Sequence, residues 1–263
     1  EVKITAKIRD IPVFQPEKIR KNEEFLNTIK AIECDYYVVS AYGKILPEEL
    51  LNFPKKMPIN VHFSLLPKYR WASPMQACLI NGDTETGVTI MKMSAWMDEW
   101  DIIDVLKIKN DKFETSDSLF ERFSNISWKF LIETIEKYEN WWLKFTPQNH
   151  EEATYCQKIE KENWLANFNQ SADKLFYLWK WLTSWPWLYA YFKDKKIVFE
   201  ECDFSLGNVN WKIWEVIKFQ DKVWIKCENW ILILQKVKLE WKKTQDIKDF
   251  LNWYKDFLGY KFN

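Results

Sequence analysis

Apolar side chains recur at Ile19, Phe25, Ile29 and Ile32, which predicts an amphipathic helix over Glu17–Ile32. Glu1–Asp10 before it reads as the tail of a helix leading into a short loop. The unbroken run Tyr36–Ala41 (YYVVSA) predicts a buried strand ending at Tyr42-Gly43, and a short helix follows from Pro47. Further strands are expected at Met57–His62, Gly87–Met93 and Asp104–Ile108. Pro74–Ile80 reads as a helix with proline at its first position, where a missing N–H costs nothing. Leu119, Phe123, Ile126 and Phe130 share one face of the clearest helix, Ser116–Tyr138, which Thr115 or Ser116 would cap. Strands alternating with helices predict an α/β domain with a mostly parallel sheet and helices on its faces.

After Trp142 the texture changes. Lys144–Gln157 is polar and carries Pro147, which marks a linker. Beyond it come one helix (Ala172–Leu182) and short strands at Leu188–Phe192, Lys196–Glu201, Ile213–Phe219, Val223–Cys227 and Ile231–Val237. A closing helix is expected over Thr244–Phe257. Many short strands between turn signals predict a small barrel. The division is therefore 1–142, a linker at 143–157, and 158–263.

Composition adds one anomaly. The chain holds 17 Trp and 5 Gly, against an average glycine usage of about 7%. Many of the tryptophans follow turn signals, as in Asn229-Trp230, where a tight hairpin wants Asn-Gly. The expectation is that fourteen stand for glycine, through UGA codons read as glycine in the source and translated here as tryptophan. They are Trp71, Trp96, Trp100, Trp128, Trp141, Trp164, Trp181, Trp187, Trp211, Trp214, Trp224, Trp230, Trp241 and Trp253. Glycine would then number nineteen, close to average usage. The alternative is a Trp-rich core or a set of aromatic platforms.

Charge excludes little: 38 basic residues balance 38 acidic ones, so composition argues for no particular partner. Five scattered cysteines without a CxxC pair suit reduced thiols in the cytoplasm. No stretch has the roughly 18 consecutive apolar residues of a membrane span, and no partner membrane is expected.

Chemistry concentrates between Asn60 and Asp101. Of the two histidines, His150 lies in the linker and reads as solvated. His62 ends a strand, with Asn60 on the same face, at the carboxyl end where open α/β sheets bind ligands. Asp98, Glu99 and Asp101 follow the next strand. Asn and protonated His can donate to a developing oxyanion, and Asp can orient imidazole and assist proton removal from an amine. That set suits acyl transfer to an amine. Two separated histidines and no paired cysteines leave no metal site.

Ile59–Ser73 (INVHFSLLPKYRWAS) resembles the NVHxSLLPxxRGA stretch of methionyl-tRNA formyltransferases, and Gly87–Ile103 (GVTIMKMSAWMDEWDII) resembles their GVTIMxMxxGxDxGD loop. Ala41–Pro47 and Ala153–Ile159 extend the likeness to nearly the whole chain. Trp71, Trp96, Trp100 and Trp187 fall where the family pattern has glycine. The resemblance implies a Rossmann-like catalytic domain lacking its first strand–helix–strand unit, and a C-terminal OB-like barrel that holds tRNA. It implies 10-formyltetrahydrofolate as donor, methionine on initiator tRNA as acceptor, no metal, and a cytoplasmic monomer. Asn60, His62 and Asp101 match the catalytic trio. Ser64, Leu65, Leu66, Pro67, Tyr42, Gly43 and Asp98 would face the folate. Arg70, Lys193, Lys195, Lys196, Lys242 and Lys243 are candidates for tRNA phosphates. Two alternatives stay open: a nucleotide-sugar or purine-precursor amine as acceptor, or a non-catalytic remnant of the fold.

Overall fold

The computed structural model describes residues 2–93, 98–111, 114–141, 143–158, 164–182, 187–207 and 212–262. The first half runs α1 (Val2–Ile8), α2 (Glu23–Lys30), β1 (Tyr36–Ser40), α3 (Glu48–Leu51), β2 (Met57–His62), β3 (Arg70–Trp71), α4 (Pro74–Ile80), β4 (Glu85–Lys92), β5 (Ile102–Lys109) and α5 (Ser116–Trp141). α2 starts later than its apolar spacing suggests because Asn22 caps it, its Oδ1 accepting from Phe25 N at 3.1 Å. Ile19, ahead of the helix, is buried all the same.

The first sheet has the order β1-β2-β4-β5. Only β1 and β2 pair in parallel; β2–β4 and β4–β5 are antiparallel. The α/β reading holds, and the mostly parallel sheet is corrected to a mixed one. Side-chain alternation is the same whichever way a strand runs, so periodicity carries no signal for direction. For β5 the reason is length. A parallel return needs about a dozen residues or more, and the chain between Lys92 and Ile102 is shorter than that.

Alternation along β2 sorts the two faces. Met57, Ile59 and Val61 pack with Val88 and Ile90 of β4 against α4 and α5. Asn60 and His62 point the other way, toward the side where Val39, Leu46, Leu50 and Leu51 cluster with α2 and α3. The polar pair is thus carried on a strand whose other face is buried, which fixes its register.

The second half continues with β6 (Tyr155–Cys156), α6 (Ala172–Leu182), β7 (Tyr189–Phe192), β8 (Lys195–Ser205), β9 (Val216–Phe219), β10 (Lys222–Lys226), β11 (Ile231–Leu239), β12 (Gln245–Asp246) and α7 (Ile247–Trp253). β6 pairs with β3, tying the linker to the first domain. The others form an antiparallel sheet, β7-β8-β11-β10-β9 with β12 beside β11, curled as a half-barrel. Its core includes Phe168, Phe199, Phe250, Phe257 and Phe262. The expected closing helix is divided into β12, α7 capped by Asp246, and a 3-10 turn at Lys255–Phe257. α6 packs on α4 where Gly82 leaves room: a Cβ there would lie 2.6 Å from the Tyr177 ring. Among the described residues no helix is long and apolar enough to cross a membrane.

Among the described residues, five of the fourteen tryptophans hold left-handed backbone: Trp71, Trp187, Trp214, Trp230 and Trp241, with φ of 63° to 85°. Each such conformation costs a residue with a Cβ roughly 1–2 kcal/mol, so together they oppose folding by about 5–10 kcal/mol. Glycine bears no such cost. Trp214 adds a buried indole Nε1 without a hydrogen-bond partner. Others fit tryptophan well enough. Trp224 packs in β10 against Ile217, Ile231 and Ile233, and Trp128 and Trp253 lie on helices. Trp96 and Trp211 fall outside the described residues.

Candidate active site

Asn60 and His62 stand at the carboxyl end of β2, beside the carboxyl end of β1. They line a cleft of about 790 Å³ with Val39, Leu46, Leu51, Met91 and Met93. Tyr42 and Gly43 form part of its wall, and Trp71, Cys156 and Lys158 stand along it too. A volume of this size with apolar walls and a few convergent polar groups is what a small-molecule site requires.

Asp98 closes the constellation. Its Oδ1 accepts from Asn60 Nδ2 at 3.1 Å and lies 3.6 Å from His62 Nδ1. Its Oδ2 accepts from the Trp71 backbone N–H at 2.9 Å. His62 is buried, and its Nε2 sits 2.9 Å from the Tyr69 carbonyl. That carbonyl can only accept, so Nε2 carries a proton. The remaining ring nitrogen faces Asp98, and the contact is attractive when a proton lies between Nδ1 and Oδ1.

The expected trio is therefore corrected: Asp98, not Asp101, stands with Asn60 and His62. Asp98 holds a left-handed backbone, φ 57°, which turns its side chain back over the sheet. Asp101 lies at the entry to β5, its carbonyl accepting from Lys92 N at 3.1 Å, and its carboxylate joins neither Asn60 nor His62. Spacing alone cannot separate carboxylates three residues apart in a loop.

Ser64–Pro67 is not among the residues that line the cleft. Ser64 is fully buried; its Oγ donates to the Lys68 carbonyl at 2.6 Å, and its own carbonyl accepts from Thr89 Oγ1 at 2.6 Å. Leu66 N donates to the same Thr89 oxygen at 3.2 Å. Gly87 allows this approach, since a Cβ there would meet Leu106 O at 2.3 Å and Leu65 Cδ2 at 2.4 Å. The segment braces the turn that presents Tyr69 and Trp71.

Arg70 is also corrected. It is 0% exposed, so it meets no tRNA phosphate. Its guanidinium donates to Gln148 Oε1 from Nε at 3.2 Å and Nη2 at 2.9 Å, and lies 3.6 Å from Glu99. His150, expected to be merely solvated, places Nδ1 3.3 Å from Arg70 Nη2. Gln148 had no signal in sequence: a glutamine in a polar linker looks like any other, and its partners are distant along the chain.

The candidate lysines lie on the second domain. The turn before Lys196 and the turn after β11 are joined, Glu240 N donating to Lys196 O at 2.8 Å. This brings exposed Lys195, Lys242 and Lys243 together around Trp241, which is 93% exposed. Lys196 Nζ sits 4.0 Å from the Tyr189 ring centroid, and Lys193 pairs with Asp256.

A second cleft of about 710 Å³ lies between α4 and α6 and meets the first at Cys156–Lys158. Tyr69 lines it; burial, then its hydrogen bond to Asp83, pushes its hydroxyl above the usual range. Burial likewise raises the Cys156 thiol. Among the described residues no group of three or more His, Cys, Asp or Glu could hold a metal ion.

Comparison with known proteins gives a consistent result. Residues 3–135 match the family described as Formyl transferase, and residues 158–255 match Formyl transferase, C-terminal domain. The methionyl-tRNA formyltransferase of Sulfurihydrogenibium sp. (strain YO3AOP1) is 36% identical over 263 residues, 99% of this chain and 85% of that protein. The enzyme of the same name from Francisella tularensis subsp. holarctica (strain FTNF002-00 / FTA) is 38% identical, over 99% of this chain and 83% of its own. Among solved structures, the methionyl-tRNA formyltransferase from Clostridium thermocellum superposes with TM-score 0.59 at 18% identity, over 78% of this chain and 88% of that one. An N-formyltransferase from Helicobacter canadensis, in complex with folinic acid and dTDP-3-aminofucose, gives TM-score 0.62 at 17% identity, over 87% and 80%. HypX from Aquifex aeolicus in complex with tetrahydrofolic acid gives 0.57 at 16%, over 85% and 39%. The structures share the fold; the sequence relatives and the two matched domains carry the assignment, and the chain belongs to the methionyl-tRNA formyltransferase family of formyl transferases.

Proposed function

We propose that the chain transfers the formyl group of 10-formyltetrahydrofolate to the amino group of methionine carried on initiator tRNA, for translation initiation in the cytoplasm. The observation that carries this reading is the convergence of Asn60, His62 and Asp98 at one end of an apolar cleft. The cleft suits the donor: Val39, Leu46, Leu51 and Met91 offer apolar walls to a flat ring system, with Tyr42 beside them. The donor supplies an activated formyl carbon.

In the reaction the amine nitrogen bonds to the formyl carbon and the folate nitrogen leaves. Asn60 Nδ2, which has a second N–H beside the one given to Asp98, is the group able to donate to the oxygen on which negative charge develops, while His62, held between the Tyr69 carbonyl and Asp98, keeps that carboxylate in place. One such donor is worth roughly 10²–10³ in rate. Asp98 takes the proton that the attacking amine loses, directly or through one water, and the His62–Asp98 pair returns a proton to the departing nitrogen. General acid–base help of this kind contributes about 10²–10⁴. The proton count closes without metal or redox partner.

Residues 1–142 are read as the catalytic part, 143–157 as the linker and 158–263 as the part that holds the tRNA, with the chain acting as a monomer. Lys195, Lys196, Lys242 and Lys243 are the phosphate contacts in this reading. Relatives at 36–38% identity over 99% of the chain favour the tRNA acceptor over an amino-sugar nucleotide of the kind bound by a structural neighbour at 17%. The test is formyl transfer from 10-formyltetrahydrofolate to charged initiator tRNA, with an amino-sugar nucleotide as the competing acceptor. Formyl-methionine on tRNA is expected, with His62→Ala slower by two orders of magnitude or more. Transfer to the sugar nucleotide alone, or none to either acceptor, would overturn the reading.

A further inference from the structure

The amide of Gln148 is a clamp, reaching from the linker, on the turn that carries Asp98. It is buried, 6% exposed, and all its hydrogen-bonding capacity is directed. Nε2 donates to the Asp98 carbonyl at 2.9 Å and to the Trp100 carbonyl at 2.7 Å. Oε1 accepts the two N–H groups from Arg70 already described, at 3.2 and 2.9 Å. Arg70 Nη1 also reaches Glu99 at 3.6 Å and donates to Tyr155 Oη at 3.3 Å. Three consecutive residues of the turn, Asp98, Glu99 and Trp100, are thus tied to one buried pair.

We infer that Gln148 is a positioning residue for formyl transfer: through Arg70 below and two carbonyls above, it fixes the turn so that Asp98 reaches Asn60 and His62. Gln148 does not line the cleft. Arg70 in turn is one residue from Trp71, whose N–H meets the other Asp98 oxygen at 2.9 Å. Both ends of Asp98, carbonyl and carboxylate, are therefore referred to the same short strand. The inference rests on Asp98 being the proton-handling group.

Chemistry of the amide makes the idea separable from simple packing. A glutamate at 148 has the same shape and forms a stronger pair with Arg70, yet it has no N–H for the two carbonyls. If Gln148 served only to neutralise or seat Arg70, Gln148→Glu would be harmless. If it holds the turn, the variant sets carboxylate oxygen against two carbonyl oxygens and frees Asp98.

The experiment is steady-state kinetics on Gln148→Glu with charged initiator tRNA and 10-formyltetrahydrofolate, paired with amide hydrogen exchange at Trp71. The expected result is a fall in kcat of about 10–100-fold with KM for the donor changed little, and faster exchange of the Trp71 N–H. A folded variant with kcat within about twofold of the parent would overturn the inference. Should Gln148→Glu fail to fold, Gln148→Met, uncharged and of similar length, is read by the same two criteria. Asp98→Asn separates the two layers. If it leaves kcat unchanged, the role given to Asp98 fails; if it abolishes transfer while both Gln148 variants remain fully active, only the clamp fails.

Discussion

The backbone N–H of Trp71 donates to Asp98 Oδ2 across 2.9 Å, from a residue whose φ is 85°. The left-handed backbone aims the N–H at the carboxylate, so the hydrogen bond needs the conformation and not the indole. Trp71 is 45% exposed and its ring stands 4.7 Å from that of Tyr155, beside the cleft. Trp71→Gly keeps the donor, removes the strain and clears the cleft wall. Transfer kinetics should show kcat/KM equal to or above the parent's; a tenfold loss would mean that the indole itself contributes.

Stability gives the cleanest reading of the tryptophan anomaly at Trp241. Its φ is 63° and its side chain is 93% exposed, so truncation sacrifices almost no packing. Relief of strain is worth roughly 1–2 kcal/mol, against an entropic penalty for glycine of about 0.5–1 kcal/mol. Trp241→Gly should therefore raise stability by up to about 1.5 kcal/mol in denaturant titrations. UGG codons at the five left-handed positions would refute the recoding idea at the gene level, whatever the protein's stability.

The lysine patch around Trp241 predicts a salt-dependent partner. Replacing Lys195, Lys196, Lys242 and Lys243 by alanine should raise KM for tRNA and leave KM for the donor alone. Each tRNA phosphate left without its lysine should lower the slope of log K against log salt by roughly 0.7–0.9. An unchanged slope would mean that these are ordinary solvated lysines.

Burial raises the thiol of Cys227 to about 12, and that of Cys202 well above its usual value. The sign follows from proton counting: above pH 9, where an unfolded thiol has its ordinary value of 9.0, the unfolded chain binds fewer protons than the folded one. Stability contributed by these thiols is complete below pH 9 and is lost as pH rises toward 12. Urea midpoints at about pH 8 and pH 10 test this, and Cys227→Ala should flatten the difference between them.

Much of this molecule was legible in the sequence, and the failures have physical causes. β2, α4 and α6 fall on the expected residues because each is a short apolar pattern bounded by strong signals, such as Pro74 at a helix start. Asn60 and His62 share a face of β2 as expected, because strand alternation is strict. Asp98 was misplaced because a loop has no period, and only its left-handed backbone shows which carboxylate turns inward. Strand direction was hidden for a related reason, since alternation reads the same both ways. Arg70 looked like a surface cation; only the fold brings Gln148 and Tyr155 around it and buries it.

Formyl transfer turns on Asp98 as the proton-handling group, held between Asn60 and His62. Single-turnover transfer from 10-formyltetrahydrofolate to charged initiator tRNA, measured for Asp98→Asn and Asp101→Asn side by side, tests it most directly. The expected result is a loss of about 10²–10⁴ for Asp98→Asn and a rate within a few-fold of the parent for Asp101→Asn. The reverse pattern, or full activity in Asp98→Asn, would contradict it.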